Sequence, residues 1–251
     1  MAVGRVDILM YHSISDAPGP TNIAPRIFED QMAAIAESGV PVVSMDTYLT
    51  ARSGKSVLPP HAVIITFDDG FQDFADVAWP VMSRHGFPAI NYLPTKHIGG
   101  FDSWESGAEP RRIMAWQTVR DLIADGASFG SHSETHPDLT KLTSVKLEQE
   151  LAASRMELED KLSRPIAHFA PPYGASDARV RAYVSANYAT SVGTYLDHAS
   201  HNSDLLDLPR IEMFYFRKIS RWREFLTGVD RSYLRRRRML RRLGKMRNRF
   251  G

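Results

Sequence analysis

The sequence predicts an α/β fold built from parallel β-α-β units. Three observations indicate it: short apolar runs typical of buried strands alternate with longer segments of helical periodicity, glycines end several of those segments, and the chain is long enough for one substantial core. Its 251 residues are 43% apolar and 24% charged, which is typical of a soluble globular protein.

The elements can be predicted in chain order. Apolar runs indicate strands at residues 8–11, 40–43, 63–67, 89–93, 127–130, 166–170 and 189–192. Apolar residues at helical spacing predict helices at residues 27–38, 73–85, 116–125, 145–163 and 179–187. In the first of these helices Phe28, Met32 and Ile35 share one face. Polar, glycine-containing or serine-containing composition predicts loops at residues 98–110 and 198–207.

Charge divides the chain into two predicted parts, residues 1–216 and residues 217–251. The second part has 14 basic residues against 2 acidic ones, a balance of +12, whereas the whole chain carries a formal net charge of only +2. The first part therefore carries −10. We predict an acidic globular domain followed by a basic tail.

Several classes of protein are disfavoured by composition. The chain has no cysteine, so a disulfide framework, a thiol nucleophile and cysteine ligands for zinc are all excluded. No apolar run approaches the roughly 20 residues of a membrane span. The first residues lack the apolar stretch of a secretory signal, so we expect a cytoplasmic location.

Two adjacent carboxylates, Asp68 and Asp69, follow the strand predicted at 63–67 and precede Gly70. Adjacent carboxylates repel each other, and burying either one is costly without a cationic partner. An isolated Asp-Asp-Gly is most often a polar turn. Its place at the end of a buried strand instead suggests that something cationic lies beside it.

Two histidines, His132 and His136, follow the strand predicted at 127–130. By themselves, histidines four residues apart are more often surface residues than ligands. Together with a carboxylate from the first motif they predict a divalent metal site. One carboxylate and two imidazoles leave coordination positions open for water and substrate, as a catalytic metal site requires.

These motifs resemble those of the polysaccharide deacetylases of the NodB-homology type, carbohydrate esterase family 4. Residues 66–70 match the family's first motif, Thr-Phe-Asp-Asp-Gly, and residues 132–136 resemble its second, His-Ser/Thr-x-x-His. Residues 169–174 match the Pro-Tyr-Gly end of its third motif. The resemblance extends over about residues 8–211. It implies a distorted (β/α)7 barrel, with the three motifs together at the carboxyl-terminal rim of the strands.

The resemblance also implies residue roles. Asp69, His132 and His136 would bind a divalent metal, most commonly Zn²⁺ for a site of two imidazoles and one carboxylate. Asp68 would be the general base. The peptide N–H of Tyr173 would help to stabilise the oxyanion that forms during the reaction.

This sequence departs from the family's pattern in two places. Ala170 stands where the third motif often has an arginine that orients the catalytic aspartate, so Asp68 is expected to lack that partner. The family's late Leu-x-His motif, which supplies the general acid, is absent after residue 211. One branch, which includes biofilm poly-N-acetylglucosamine deacetylases, carries this histidine near the N-terminus. His12 resembles it and is predicted to be the acid, with His198 and His201 as alternatives.

We therefore predict a metal-dependent hydrolase that removes N-acetyl groups from a sugar, with a lipid-linked or nucleotide-linked precursor as a plausible substrate. A catalytically inactive glycan-binding protein is one alternative, because the motif arginine is missing. A nucleic-acid-binding protein that uses the basic tail is another, but the tail has few aromatic residues and nucleic acid is not the expected partner.

The tail itself has two interpretations. If residues 221–247 form one helix, an apolar stripe runs along it, made of Leu226, Val229, Tyr233, Leu240 and Leu243. Arginines, including those at 235–238, cover the other faces, which is typical of a helix lying on an anionic membrane surface. A solvated basic tail is the alternative, because glycines at 228 and 244 weaken the helix.

Overall fold

The structure is a computed structural model of the chain. It describes residues 4–104, 109–229 and 232–247, with side chains up to residue 241. The predicted α/β fold is confirmed: seven parallel strands form one curled sheet, a distorted (β/α)7 barrel, with helices packed outside it.

The strands all run parallel, in the spatial order β6-β5-β4-β3-β2-β1-β7. They comprise β1 (Arg5–Tyr11), β2 (His61–Phe67), β3 (Ala89–Leu93), β4 (Ser128–Ser131), β5 (His168–Phe169), β6 (Thr190–Ser191) and β7 (Ile211–Glu212). The longest pair, β1 and β2, is in register from Arg5 opposite His61 to Tyr11 opposite Phe67. Because these strands end level with each other, the residues that follow them meet at one rim.

The helices connect the strands and continue beyond the last one. They comprise α1 (Pro25–Ser38), α2 (Met45–Arg52), α3 (Trp79–Arg84), α4 (Trp116–Ala124), α5 (Ser144–Leu162), α6 (Ala178–Asn187), α7 (Ile219–Leu226) and α8 (Tyr233–Arg247). A π-helical turn, Phe74–Ala78, leads into α3. Among the described residues, no helix combines the length and the apolar character that crossing a membrane requires.

The strand predicted at residues 40–43 is wrong. This segment makes only a single bridge, between Val42 and Val63, beside the start of β2. The chain then turns into α2, which the sequence analysis missed. Ser44 begins that helix, because its side chain accepts a hydrogen bond from the peptide N–H of Thr47 at 3.0 Å.

Strand β7 was also missed, because it contains only two residues and follows a polar loop. It pairs with β1 through Leu9 opposite Ile211 and Met10 opposite Glu212. This pairing places β7 next to β1, on the side of β1 opposite to β2. Arg210, the residue just before β7, thereby enters the interior of the barrel and is 1% exposed.

The segment after residue 216 packs against the body. Trp222, Phe225, Leu226, Tyr233 and Leu234 are buried in the same apolar cluster as the outer faces of the strands. The indole Nε1 of Trp222 donates to the carbonyl of Gln31 in α1 at 3.1 Å. The division at residue 216 stays a prediction, but the first half of the basic segment contributes to the core.

The single helix considered for residues 221–247 is wrong. Helix α7 ends at Leu226, and α8 begins at Tyr233 after a turn that contains Gly228 at φ +77°. The predicted apolar stripe is divided as well. Leu226 and Tyr233 are buried, Val229 and Leu240 are exposed, and the side chain of Leu243 lies outside the described residues.

Candidate active site

The loops at the carboxyl ends of the strands enclose a cavity of about 360 Å³. The segments after β1, β2, β4 and β5 each contribute to its wall, as expected for an α/β barrel. Its lining includes all six predicted site residues: His12, Asp68, Asp69, His132, His136 and Tyr173. The structure thus brings together residues that are up to 161 positions apart in the chain.

Asp69, His132 and His136 form the predicted metal-binding group. The Oδ1 atom of Asp69 lies 3.4 Å from Nε2 of His132 and 3.2 Å from Nε2 of His136. All three side chains are buried, and one ligand atom from each lies within 4.8 Å of the others. Two imidazole nitrogens and one carboxylate oxygen converging on one point is the donor set of a catalytic zinc site with open positions.

Hydrogen bonding prepares His132 for this role. Its Nδ1 atom lies 2.6 Å from the carbonyl oxygen of Ala170, so Nδ1 must carry the proton and donate it. The lone pair of Nε2, 3.4 Å from Asp69 Oδ1, is therefore available to a metal held between the two side chains. A backbone carbonyl that holds the far nitrogen of a ligand histidine is a common outer-shell feature of metal sites. Ala170 contributes to the site through its backbone.

Asp68 is held by Arg210. The guanidinium donates from Nη1 to Oδ1 and from Nη2 to Oδ2 of Asp68, both at 2.7 Å, which is a bidentate ion pair. Arg210 is held in turn by Gly193, whose carbonyl accepts from Nε at 2.9 Å, and by Thr66 Oγ1 at 3.2 Å from Nη1. The expectation that Asp68 lacks an orienting arginine is therefore wrong. Ala170 cannot supply one, but Arg210, the residue just before β7, does so.

This ion pair keeps Asp68 charged inside the protein. Burial would by itself raise the pKa of Asp68, but the positive charge of Arg210 and its two hydrogen bonds outweigh burial and lower that pKa below its ordinary value. A carboxylate that must accept a proton from water has to be ionised beforehand. The pair also fixes the plane of the carboxylate, so its remaining lone pairs face the cavity.

His12 lines the same cavity as the metal-binding group. Its Nε2 atom is 3.9 Å from Oδ2 of Asp68, and its side chain is 17% exposed at the cavity wall. The alternative His198 lies elsewhere: its Nδ1 is 2.5 Å from Oδ1 of Asp7, in the first half of β1 and away from the rim. Among the described residues that line the cavity, His12 is the one histidine outside the metal-binding group.

The backbone is strained at this site. Asp69, His136 and Tyr173 adopt positive φ angles of 74°, 59° and 59°, and Ser133 adopts 66°. These four are among five non-glycine residues with positive φ in the described chain, the fifth being Ser163 at the end of α5. Such conformations are sparsely populated and tend to cluster at functional sites, where the surrounding structure maintains them.

Aromatic rings flank the metal-binding group. The ring of Trp104 stacks on His136 with centroids 4.1 Å apart, and the ring of Tyr173 meets the same histidine edge-on at 4.8 Å. Tyr173 is 58% exposed, so its ring forms part of the cavity mouth. A flat aromatic wall beside a polar centre is suited to the apolar face of a sugar ring.

Sequence reasoning missed three cavity residues or neighbours: Arg210, Glu212 and Arg241. None of the three lies in a recognisable motif. The first two follow a polar loop, and the two-residue strand β7 beside them could not be recognised from the sequence. Burial raises the pKa of Glu212 above its ordinary value, while the charges of His12, Arg241 and Arg210 act in the opposite direction. The signal that could have indicated Arg210 is its position, flanked by Leu208, Pro209 and Ile211. An arginine in such an apolar run needs a buried anion.

Comparison with known proteins agrees with this geometry. Residues 55–192 match the family model described as polysaccharide deacetylase. The chain is 23% identical over 210 residues to YxkH of Bacillus subtilis (strain 168), itself assigned to the polysaccharide deacetylases only by name; the match covers 83% of this chain and 71% of that protein. It is 28% identical over 122 residues to the poly-beta-1,6-N-acetyl-D-glucosamine N-deacetylase of Escherichia coli (strain K12), covering 45% of this chain but only 18% of that enzyme.

Solved structures show the same fold. The deacetylase PplD of Streptococcus pyogenes, in complex with acetate, superposes with a TM-score of 0.72 and 25% identity, covering 84% of this chain and 92% of that one. IcaB from Ammonifex degensii superposes with a TM-score of 0.74 and 19% identity, covering 88% and 97%.

The metal-binding group can be tested directly. We expect His132→Ala to lose most of the bound divalent metal, because the site loses one of three protein ligands. His201→Ala, the same change at an exposed histidine, should bind metal like the wild type. Metal content per chain, measured after purification and reloading with Zn²⁺, gives the answer. Undiminished occupancy in His132→Ala would contradict the assignment.

Proposed function

The chain belongs to the polysaccharide deacetylase family, and we propose that it is a metal-dependent hydrolase that removes N-acetyl groups from an N-acetylated sugar. The observation that carries the proposal is the juxtaposition of a buried, arginine-held carboxylate, Asp68, with the three-ligand group around Asp69. The named substrates of similar proteins, poly-β-1,6-N-acetyl-D-glucosamine and chitin, support an N-acetylglucosamine glycan as the substrate class.

Asp69, His132 and His136 would hold the metal. Their donor atoms suit Zn²⁺, and their burial and outer-shell hydrogen bonding fit such an ion. When bound, a divalent cation at this place would lower the pKa of a water molecule and polarise the acetyl carbonyl.

The protein's own groups would complete the hydrolysis of the amide C–N bond. Asp68, ionised and oriented by Arg210, takes a proton from the attacking water. The peptide N–H of Tyr173, at the cavity wall, donates to the oxygen that becomes negative. His12 donates a proton to the departing nitrogen, so that the products are acetate and a free amino sugar. His12 Nε2 lies 3.9 Å from Oδ2 of Asp68, so the proposed acid and base are both within reach of one substrate in the cavity.

The proposal includes binding of the protein to a membrane surface. The outer side of α8 exposes Met239 (60%) and Leu240 (54%) beside the exposed Arg235 and Arg236. Apolar and basic side chains together on one helix face are suited to an anionic bilayer surface. Because anionic lipids concentrate in the cytoplasmic leaflet, we propose that the protein binds at that face. A lipid-linked sugar precursor would be accessible there.

The catalytic assignment predicts two variants that keep metal and lose turnover. Asp68→Asn and His12→Ala should retain the metal content of the wild type, because neither residue is a ligand, and lose roughly hundredfold or more in kcat. The assay is release of acetate from N-acetylglucosamine oligomers by the Zn²⁺-loaded protein. Parallel loss of metal and activity in Asp68→Asn would show that the two aspartates have been given the wrong roles. A fully active His12→Ala would remove His12 as the acid.

The surface location predicts binding to anionic vesicles at low salt and release at high salt. The double variant Met239→Ser with Leu240→Ser should bind roughly tenfold more weakly, because two apolar side chains that would be partly inserted into the bilayer are lost. Met156→Ser is the matched control, since Met156 is 63% exposed on α5. Co-sedimentation with phosphatidylglycerol-containing and with neutral vesicles measures both effects. Two results would contradict the proposal: binding to neutral vesicles as strong as to anionic ones, or binding by the double variant as strong as by the wild type.

A further inference from the structure

Helix α8 is fixed to the barrel by its first two turns. Tyr233 and Leu234 are buried, and the Tyr233 hydroxyl donates to the carbonyl of Tyr215 at 2.9 Å. One turn later, Arg238 forms an ion pair with Asp197. These contacts determine which face of α8 is turned towards the rim of the barrel.

Arg241 lies on this inward face, because it follows Leu234 and Arg238 at helical spacing. It lines the catalytic cavity together with the metal-binding group, and it also lines a neighbouring cavity of about 340 Å³. Gly174 and Thr194 also line both cavities. Arg241 therefore stands where the two cavities meet. A sugar in the catalytic cavity would have its next substituent beside this guanidinium.

The charge of Arg241 is not neutralised by a close partner. Arg238 is already paired with Asp197, and Asp207 in the neighbouring cavity is 3.8 Å from Arg181. Within the described residues, no carboxylate lies within 4.0 Å of Arg241. Glu212, its acidic neighbour at the cavity, interacts with it only at longer range. The junction of the two cavities therefore carries a cation whose hydrogen-bond donors are available to a ligand.

We propose that Arg241 binds an anionic oxygen group of the substrate, a phosphoryl or a carboxylate group attached next to the N-acetylated sugar. This rests on the proposed function for the position of the sugar. The two cavities then form one site for an acidic glycan. The sugar occupies the catalytic half, and the anion occupies the junction with α8. A sugar phosphate linked to a lipid and an acidic polysaccharide share this chemistry.

The chemistry of the side chain supports this class of ligand. A guanidinium presents several donors in a plane and binds phosphate or carboxylate through two parallel hydrogen bonds. At a partly enclosed site, such charge-assisted bonds typically change binding by about tenfold to a hundredfold. A neutral glycan makes no equivalent contact. Arg241 would thus determine specificity without touching the reacting atoms.

The test uses three trisaccharides of N-acetylglucosamine that differ only at the reducing end: the neutral sugar, its 1-phosphate, and its aldonic acid. Affinity is measured by calorimetry on the full-length Zn²⁺-loaded Asp68→Asn protein, and kcat/KM on the otherwise unchanged protein. We expect at least one acidic trisaccharide to be preferred over the neutral one by about tenfold or more. Arg241→Gln should reduce the preference to about twofold. A preference for the 1-phosphate indicates a sugar phosphate as the natural ligand, and a preference for the aldonic acid indicates an acidic polysaccharide.

Arg26→Gln is the matched control, because Arg26 is exposed on α1 and lines neither cavity, and the change removes the same charge. It should leave the preference unchanged. Equal affinities for all three sugars, no measurable binding of any of them, or a preference that survives Arg241→Gln would overturn the inference. Binding is independent of turnover, so a protein that binds acidic sugars through Arg241 but releases no acetate would contradict the proposed function alone.

Discussion

The ion pair between Asp68 and Arg210 is the interaction on which the candidate site depends. Both side chains are almost completely inaccessible to solvent, so each would be costly to bury without the other. The pair joins the end of β2 to the segment that precedes β7, on the other side of β1. Removing either partner would leave an isolated charge in the barrel interior. The ion pair therefore fixes both the position of the Asp68 carboxylate and the packing of this edge of the sheet.

The arrangement separates two carboxylates that are adjacent in the sequence. Asp68 is directed to Arg210, whereas Asp69, at a positive φ angle, is directed to the two histidines. Their different surroundings suit them to the different roles proposed for them: Asp68 is a charged carboxylate paired with an arginine, and Asp69 faces two imidazole nitrogens. The left-handed backbone at Asp69 achieves this divergence. The following Gly70 is at φ +68°, where a side chain would be strained, and a Cβ atom there would also lie 2.7 Å from Leu93 Cδ2 and displace that side chain.

Much of this could be predicted from the sequence, because motif residues at strand ends must converge in a parallel α/β barrel. The alternation of elements predicted the fold, and the spacing of Asp69, His132 and His136 predicted a group that the structure brings together. Arg210 and β7 could not be predicted in this way. A two-residue strand has no periodicity, and the partner of a buried charge is determined by tertiary packing. The tail was misjudged for a similar reason: its charge indicated exposure, although Trp222, Phe225 and Tyr233 anchor it in the core.

The most direct test of this account is the turnover of an Arg210 variant loaded with metal. We expect Arg210→Gln to keep its three metal ligands and its bound Zn²⁺, but to release acetate from N-acetylglucosamine oligomers roughly hundredfold more slowly, since Asp68 loses its orientation and its counter-charge. Arg210→Lys keeps the charge but not the bidentate geometry, so its rate of acetate release should lie between those of the wild type and Arg210→Gln. An Arg210→Gln protein that is folded, loaded with metal and as active as the wild type would contradict the central claim that Arg210 prepares Asp68 for catalysis.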